Sequence, residues 1–193
     1  MFILQPFGNV SKDVLEELKV RISERILASQ SEIVIMNTLP VPFDAYDSER
    51  EQYRASSFLN ALRLNDEMLW LGSSIPNKNS NESKNYKILG IVDLDLFTPE
   101  LNYIFGQAEI GGNYAVISLS RLHDVSHEKY ISRMVKEAVH ELGHTFGFHH
   151  CPDAKCVMHF SNTLADTDYK NETYCDVHYK ELIKIREKMK KSE

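Results

Sequence analysis

The amino-acid sequence predicts a single α/β domain, and the opening of the chain predicts this class most directly. Residues 2–6 and 32–37 are short and apolar and contain β-branched side chains, which is typical of strands. Between them, Ser11 is in the position of a helix N-cap, ahead of apolar residues at helical spacing. A strand–helix–strand opening is typical of α/β proteins. The length of 193 residues fits one domain, 1–193, with one core.

The next part of the chain predicts a loop, a helix and a second loop. Prolines and aspartates mark residues 38–48 as a connecting loop, and a helix with an apolar face is predicted over about 51–65. Residues 72–85 are polar and rich in turn-forming side chains. We expect an exposed loop there rather than a domain linker, because the chain on both sides is needed to build one core.

Three strands and a long helix are predicted after this loop. The strands are expected over 87–94, about 102–108 and 114–120. The sequence Gly-Gly-Asn at 111–113 is typical of a tight turn, so the last two strands are predicted to be antiparallel. The helix is predicted over about 126–146 from a stripe of apolar side chains.

Local residue patterns predict where the long helix begins and ends and what the rest of the chain forms. Either Asp124 or Ser126 can serve as the N-cap of the long helix, and Gly147 is expected to end it. Residues 148–174 show no regular pattern and are predicted to be irregular. A last amphipathic helix is predicted over about 176–190.

Composition and charge argue against several kinds of partner. A net charge of -6 does not suit a nucleic-acid-binding surface or a polybasic membrane anchor. No stretch approaches the roughly 18 apolar residues that a membrane span needs. The first residues lack the charged region and the long apolar run of a signal peptide. We therefore expect a cytoplasmic monomer that binds neither nucleic acid nor membranes.

The long helix carries the motif H-E-x-x-H at residues 140–144. Residues four apart on a helix lie one above the other, so the imidazoles of His140 and His144 point from the same face, as two ligands of one zinc ion require. Glu141 lies about 100° further round the helix. It can reach a water molecule on the metal, but it is not placed as a third ligand.

The third ligand must come from beyond the helix. Gly147 can adopt a positive φ and turn the chain sharply, so that His150 folds back onto the metal. His149 is the competing candidate, although the G-x-x-H spacing favours His150. The motif H-E-x-x-H alone can occur on a helix by chance, without binding a metal. The longer pattern that also includes Gly147 and His150 is much less expected by chance.

Three neutral imidazoles on zinc leave the fourth position open to water, whose pKa then falls to about 7. Glu141 is placed as the general base that takes a proton from this water during attack on a carbonyl carbon and later passes it to the leaving amine. The sequence thus predicts a catalytic zinc site held by His140, His144 and His150, with Glu141 as the catalytic residue.

All three cysteines lie in the last part of the chain. Cys151-x4-Cys156 is followed by Cys175-x-x-His178, a spacing that matches a closed Cys3His zinc site. Such a site would hold the irregular segment together and, because Cys151 follows His150 directly, would also fix the third histidine. We therefore expect two zinc ions per chain, one catalytic and one structural. The alternatives are three free thiols or a disulfide between the first two cysteines.

At this point the sequence resembles the archaemetzincins, a family of zinc metallopeptidases in the metzincin clan. Residues 140–158 match continuously the family pattern, which joins H-E-x-x-H-x-x-G-x-x-H to C-x4-C-x-M, and residues 160–162 continue the likeness. The family's last C-x-x-C reads Cys175-x-x-His178 here, so the structural zinc would have one thiolate fewer; His159 is the alternative to His178. Further blocks of resemblance are Arg50-x-Gln52-Tyr53, Phe105-Gly106-Gln107-Ala108 and Val116-Ile117-Ser118.

The resemblance implies a compact metzincin-like domain with a twisted mixed sheet, an active-site helix behind it, and a zinc-stapled C-terminal segment that ends in a helix. The sheet and helices would occupy about 1–147, and the C-terminal part about 148–193. Met158 would form the apolar floor beneath the zinc ligands, known as the Met-turn, or would be an ordinary core methionine. Phe160 stands where some metzincins have a tyrosine ligand, so none is expected there.

The resemblance also implies peptidase activity on peptides or unfolded proteins, of which aminopeptidase action is one form. In metzincins the extended substrate lies antiparallel to the edge strand of the sheet, here expected around 103–108. The alternative is a non-catalytic zinc protein of the same fold that binds peptides or a protein partner, since no prodomain that would restrain a protease is recognisable. Glu141 favours the enzyme, because a purely structural site has no evident use for it.

Overall fold

The fold consists of two β-sheets and five helices within the described part of the chain. The computed structural model describes residues 1–72 and 86–191, so residues 73–85 of the loop predicted over 72–85 lie outside the described residues. No helix in the described part is long and apolar enough to cross a membrane. The elements in chain order are β1 (Phe2–Phe7), α1 (Lys12–Arg25), β2 (Ile33–Ile35), β3 (Tyr46–Asp47), β4 (Gln52–Arg54), α2 (Ala55–Gly72), β5 (Lys87–Val92), β6 (Leu96–Thr98), β7 (Leu101–Ile104), β8 (Gly106–Ala108), β9 (Tyr114–Ser118), α3 (His127–Thr145), α4 (Leu164–Tyr169) and α5 (Asp176–Lys191).

The larger sheet has five strands in the order β2-β1-β5-β9-β8. β1 pairs in parallel with β2 and β5, and β5 pairs in parallel with β9. β8 is antiparallel to β9, as the Gly-Gly-Asn turn predicts. β5 and β9 are almost wholly buried because helices cover both faces of the sheet, which explains their continuous apolar sequences. The predicted α/β class with a mixed sheet is confirmed, and β8 forms one edge of this sheet.

Helices cover the two faces of the larger sheet. On one face, Leu18 of α1 and Val135 of α3 belong to the same buried cluster as Leu89 of β5. On the other face, Phe58 of α2 belongs to a second buried cluster, together with Val116 of β9. Successive residues of a strand point to opposite faces, so the central strands β1, β5 and β9 contribute to both clusters. The long helix α3 therefore lies behind the sheet, as predicted.

A smaller sheet in the order β3-β4-β6-β7 was not predicted. The buried side chain of Gln52 on β4 connects three of its segments. Its Nε2 donates to Oδ2 of Asp95 at 2.9 Å and to the carbonyl of Asn102 at 2.8 Å. These two bonds tie β4 to the segment before β6 and to β7, and so they orient the strand that leads into β8.

Several predicted boundaries are wrong because of this smaller sheet. The helix predicted from 51 begins at Ala55, since residues 52–54 pair as β4. The single strand predicted over 102–108 divides at Phe105 into β7 and β8, which belong to different sheets. The loop predicted over 38–48 contains β3. Strands of two or three residues are too short to produce a recognisable alternation of apolar and polar side chains.

The ends of α3 agree with the prediction to within one residue. Ser126 is the N-cap, since its side chain accepts a hydrogen bond from the backbone N–H of Lys129. Asp124, the other candidate, instead accepts from the N–H of Ser126 at 3.0 Å. Gly147 has a φ of 94° and turns the chain back at the end of the helix. The turn that follows α3 is therefore fixed by a conformation that strongly favours glycine.

The segment predicted to be irregular over 148–174 contains the short helix α4, which was not predicted. Thr163 and Asp166 form a capping box at its start. Arg133 of α3 makes a bidentate contact with Asp168 of α4, at 2.6 and 2.7 Å. α4 is therefore stabilised by its cap and by an ion pair to α3, neither of which hydrophobic periodicity reveals.

Lys170, directly after α4, makes a buried ion pair with Glu137 of α3. The Nζ and Oε1 atoms are 3.1 Å apart, and the two side chains are 0% and 4% exposed. Thr167 donates a hydrogen bond from Oγ1 to the same carboxylate at 3.1 Å. Breaking such a buried pair leaves one charge uncompensated, which costs far more than a surface pair contributes.

We expect Lys170→Met to lower the free energy of unfolding by about 3–5 kcal/mol, because Glu137 would remain buried and charged without its partner. Adding Glu137→Gln to Lys170→Met removes this charge, so the double variant should lose less stability than Lys170→Met alone. Urea unfolding measures both, with Lys180→Met on the exposed side of α5 as the control. A double variant that loses as much stability as Lys170→Met, or more, would contradict the expectation.

Candidate active site and second metal site

The end of α3 and the turn after it bring three histidines together. His140 and His144 project from one face of the helix, with their Nε2 atoms 3.1 Å apart. After the turn at Gly147, the His150 ring lies 5.4 Å and 5.0 Å from these two rings, measured between centroids. One nitrogen of each histidine lies within 4.8 Å of the others. His149, the competing candidate, is exposed and does not belong to this group.

Backbone carbonyls orient two of the three rings. Nδ1 of His140 lies 2.8 Å from the carbonyl oxygen of Val157, and Nδ1 of His144 lies 2.7 Å from that of Phe148. A carbonyl oxygen only accepts, so each Nδ1 donates its proton and each Nε2 keeps a free lone pair. Two such lone pairs, 3.1 Å apart in a buried site, repel each other unless a cation lies between them.

These three side chains fit a zinc ion. Two nitrogen ligands at about 2.05 Å from a tetrahedral zinc are about 3.3 Å apart, close to the separation of the two Nε2 atoms. A carbonyl acceptor on the second ring nitrogen is a usual partner of zinc-binding histidines. Burial also lowers the pKa of His140, His144 and His150, and this favours the neutral form that binds a metal.

Glu141 lies against the edge strand β8. A Cβ atom added to Gly106 would be 2.6 Å from both Cγ and Oε1 of Glu141, so only glycine leaves room for this carboxyl group. Burial raises the pKa of Glu141 well above its usual range; the neighbouring Glu137 raises it further, and Lys170 lowers it. The site therefore holds a buried carboxyl group beside the three imidazoles, with a tendency to bind a proton.

A cleft of about 250 Å³ opens above these side chains. One wall is formed by residues 103–108, from the end of β7 through β8, and the opposite wall by residues 160–162. His140, Glu141 and the other two histidines lie between the walls. The candidate zinc ligands and the candidate general base therefore share one open cavity.

The edge strand β8 directs towards this cleft backbone groups that pair with no strand in the described part of the chain. The carbonyl of Phe105 and the N–H of Glu109 are bonded to β9, at 2.8 and 3.0 Å. In an antiparallel pair, alternate residues bond to the same neighbouring strand. Gly106 and Ala108 lie between the bonded positions, so their N–H and C=O groups point to the free edge. This edge can therefore accept an additional strand.

Met158 packs beneath the turn of α3 that carries His140 and His144. Its side chain is fully buried, and a Cβ atom added to Gly143 would be 2.3 Å from its Sδ atom. The same added atom would be 3.2 Å from Cε1 of Tyr174. Gly143 directly precedes His144, so Met158 has the position of the apolar floor that the sequence predicts.

The three cysteines and His178 form a second group, whose ligand atoms all lie within 4.8 Å of one another. The Sγ atoms of Cys151 and Cys175 are 3.9 Å apart, and Nδ1 of His178 lies 3.5 Å from Sγ of Cys156 and 3.4 Å from Sγ of Cys175. Two sulfur ligands at about 2.3 Å from a tetrahedral zinc are about 3.8 Å apart, so this group also fits zinc.

Two alternatives for this second group, a disulfide between the first two cysteines and His159 as the fourth ligand, do not agree with the geometry. All three cysteines are free, so there is no disulfide between Cys151 and Cys156. His159 lies apart, with Nδ1 2.9 Å from the carbonyl of Cys151. Burial raises the pKa of Cys151 and raises that of Cys156 to about 12, which disfavours the thiolate at these two positions, whereas hydrogen bonds lower the pKa of Cys175. A bound cation reverses this preference, because it stabilises the deprotonated sulfur.

The two groups are connected through short stretches of backbone. Val157, whose carbonyl accepts from His140, follows Cys156 directly. Phe148, whose carbonyl accepts from His144, packs its ring on His178 with the centroids 4.9 Å apart. The third histidine is followed directly by Cys151. Each of the three histidines is therefore held by a residue that belongs to, or touches, the second group.

Comparison with known proteins agrees with the fold and identifies the family. The model of Peptidase family M54 matches residues 3–184. The archaemetzincin of Pyrococcus furiosus is 38% identical over 183 residues, which is 91% of this chain and 88% of that protein. The solved archaemetzincin from Methanopyrus kandleri superimposes with a TM-score of 0.77 at 32% identity, over 97% of this chain and 96% of that one. The solved archaemetzincin from Archaeoglobus fulgidus superimposes with a TM-score of 0.75 at 30% identity, over 94% of this chain and 99% of that one.

The mixed α/β fold with two groups of side chains that could hold a metal ion, together with these matches, defines the class as zinc metallopeptidase. Within this class, the chain belongs to peptidase family M54, the archaemetzincins. The resemblance drawn from the sequence is thereby confirmed.

The sequence predicts every side chain of the two groups, but not the neighbours that hold them. The carbonyls of Val157 and Phe148 cannot be recognised in a sequence, because every residue has one. Gly106 could have been found, since a glycine within a predicted strand indicates a close approach of another group. Lys170 resembles any surface lysine until the unpredicted α4 places it behind the site.

We expect Gly143→Ala to lower the free energy of unfolding by about 1–3 kcal/mol, because the added methyl group overlaps Sδ of Met158. Combining it with Met158→Ala removes the overlap, so the double variant should be more stable than the sum of the two single effects. Urea unfolding of the three variants measures this coupling. Simple additivity would show that Met158 does not pack against Gly143.

Proposed function

We propose that the protein is a peptidase in which His140, His144 and His150 bind a catalytic zinc ion and Glu141 is the general base. The observation that carries this proposal is the position of Glu141, one residue after a ligand and against the edge strand at Gly106. A carboxyl group is thus held where the free edge of β8, the imidazoles and the open cleft meet. The substrate would be a peptide or a segment of an unfolded protein.

The free edge of β8 would bind the substrate as an additional strand. Gly106 and Ala108 offer N–H and C=O groups at alternate positions, which is the arrangement that an extended peptide backbone pairs with. Backbone pairing holds the scissile peptide bond over the carboxyl group of Glu141, whatever the side chains of the substrate are. Proximity and orientation of this kind contribute a large part of the rate of enzymatic reactions.

The chain's own groups would handle the proton. When bound, zinc supplies a Lewis acid that lowers the pKa of the attacking water to about 7 and polarises the scissile carbonyl. The Glu141 carboxylate takes a proton from the water at Oε1 and passes it to the nitrogen of the leaving amine. The burial that raises the pKa of Glu141 strengthens it as a base, because the carboxylate gains more from accepting the proton.

The alternative is a non-catalytic zinc protein of the same fold that binds peptides or a protein partner. Burying a carboxyl group beside three imidazoles costs stability, and a glycine in β8 is required to accommodate it. A protein that only binds peptides through the edge of β8 would not need this arrangement. The position of Glu141 therefore favours the enzyme.

Glu141→Gln should abolish peptide cleavage while the zinc content stays unchanged, because the amide cannot accept the proton but leaves the ligands in place. A loss of about 10²–10⁴-fold in kcat/KM is expected for removal of a general base. Cleavage is followed with peptide libraries by mass spectrometry, and zinc by elemental analysis. Glu16→Gln, at an exposed position of α1, is the matched control. Cleavage at the unchanged rate by the Glu141 variant would refute this role.

We further propose that Cys151, Cys156, Cys175 and His178 bind a second, structural zinc ion, so that each chain binds two. The donor set and the distances fit a closed site with no position left for water. This second ion would position the catalytic ligands through the adjacent backbone, since Val157 and Phe148 supply the carbonyls that orient two of the histidines.

Cys156→Ser should therefore remove the second zinc and also weaken zinc binding at the three histidines. Loss of a partner that orients a ligand typically lowers metal affinity by about 10–100-fold. Titration with a chelator measures the affinity of each site, and elemental analysis gives the stoichiometry. Ala154→Ser, in the same loop but outside the ligand group, is the control. Unchanged affinity at the histidines would show that the two sites are independent.

A further inference from the structure

The two walls of the cleft are joined by one hydrogen bond. The hydroxyl of Tyr103, at the end of β7, donates to the carbonyl oxygen of Asn162 at 2.8 Å. Both residues line the cavity that contains the three histidines and Glu141. We call this contact the Tyr103–Asn162 bridge. It connects the strand side of the cleft to the segment that precedes α4.

On the strand side, the Tyr103 ring is held from two directions. The guanidinium of Arg121 lies over the ring, 4.1 Å from its centroid, and Phe105 meets it edge-on at 5.5 Å. Arg121 is itself fixed by a bidentate ion pair with Asp95, at 2.6 and 2.7 Å. Asp95 also accepts a hydrogen bond from Gln52 at 2.9 Å. Tyr103 is therefore fixed in place by the smaller sheet.

On the opposite side, the capping box of α4 fixes Asn162. The backbone N–H groups of Asn162 and Thr163 donate to Oδ2 of Asp166, at 3.1 and 2.8 Å. α4 is in turn anchored to α3 by the Arg133–Asp168 ion pair. Both ends of the bridge are thus built on anchored backbone, and the walls are held together across the cleft.

The bridge lies close to the catalytic group along the chain. Gly106, which contacts Glu141, is three residues from Tyr103, and an extended chain covers at most about 10 Å in three residues. A peptide that pairs with β8 and continues past Gly106 meets the bridge within this distance. The opposite end of β8, towards Ala108, has no comparable contact between the walls among the described residues.

We infer that the Tyr103–Asn162 bridge ends the cleft on one side of Glu141, so that the protein, given the peptidase activity proposed above, cleaves peptide bonds within about three residues of a chain end. Tyr103 is thereby a specificity-determining residue that selects short peptides and chain ends over the interior of long chains. A peptide antiparallel to β8 presents its carboxyl end to the bridge, and a parallel peptide presents its amino end. Antiparallel pairing is slightly more stable per residue, so we expect the limit on the carboxyl side of the cleaved bond.

The test uses peptide libraries with a randomised core, lengthened residue by residue with glycine and serine at either terminus. Cleaved bonds are located by mass spectrometry with the zinc-loaded wild-type protein. Retention of the same peptides by immobilised, zinc-loaded Glu141→Gln protein measures binding without turnover. Tyr103→Ala removes the bridge and the ring, and Tyr103→Phe removes only the hydroxyl in case the alanine variant does not fold. Tyr46→Ala, at a half-exposed tyrosine outside the cleft, is the control.

Cleavage and retention should fall at least about tenfold when the extension at one terminus passes about three residues, and the terminus concerned gives the direction of the peptide. Tyr103→Ala, or Tyr103→Phe in its place, should reduce this discrimination, whereas Tyr46→Ala should keep it. Cleavage that does not depend on length at either terminus would overturn the inference and leave the peptidase activity standing. Retention that depends on length without any cleavage would refute the peptidase activity and support the bridge.

Discussion

The hydrogen bond from His140 to the carbonyl of Val157 connects the helix that carries the H-E-x-x-H motif to the segment that follows it. A buried imidazole needs a partner for its N–H group, and this partner decides which ring nitrogen is free. Here the free nitrogen is Nε2, which faces Nε2 of His144. Val157 is itself fixed, because its N–H donates to the carbonyl of Thr173 and Cys156 precedes it. The geometry of the candidate ligands on α3 therefore depends on the segment after it.

The acidic groups of the site also depend on the segment that follows α3. Glu137 and Glu141 lie one helical turn apart on α3, and both are almost completely buried. Both carboxyl groups line the cleft, and Lys170 makes its ion pair with Glu137. Gly106 gives Glu141 its space against β8. The short helix α4 thus supports the site at both of its ends. Lys170 follows its last residue, and the cleft wall at 160–162 directly precedes its N-cap.

The sequence predicts those parts of the fold and site that arise from local patterns. α3 and its turn at Gly147 were predictable because apolar periodicity, an N-cap and a glycine coincide there. The two groups of candidate metal ligands were predictable because spacing on a helix and in C-x4-C restricts which side chains can meet. The smaller sheet was not predictable, since it depends on Gln52 bonding to residues about fifty positions later. The Tyr103–Asn162 bridge was not predictable for the same reason.

The most direct test of the two-site account is diffraction from crystals of the protein purified with zinc, measured on both sides of the zinc absorption edge. The account predicts two anomalous peaks per chain, one between Nε2 of His140 and Nε2 of His144 with His150 as the third ligand. The other peak should lie among Cys151, Cys156, Cys175 and His178. A chain without a peak at the three histidines, or with Glu141 as a direct ligand of the metal, would contradict it.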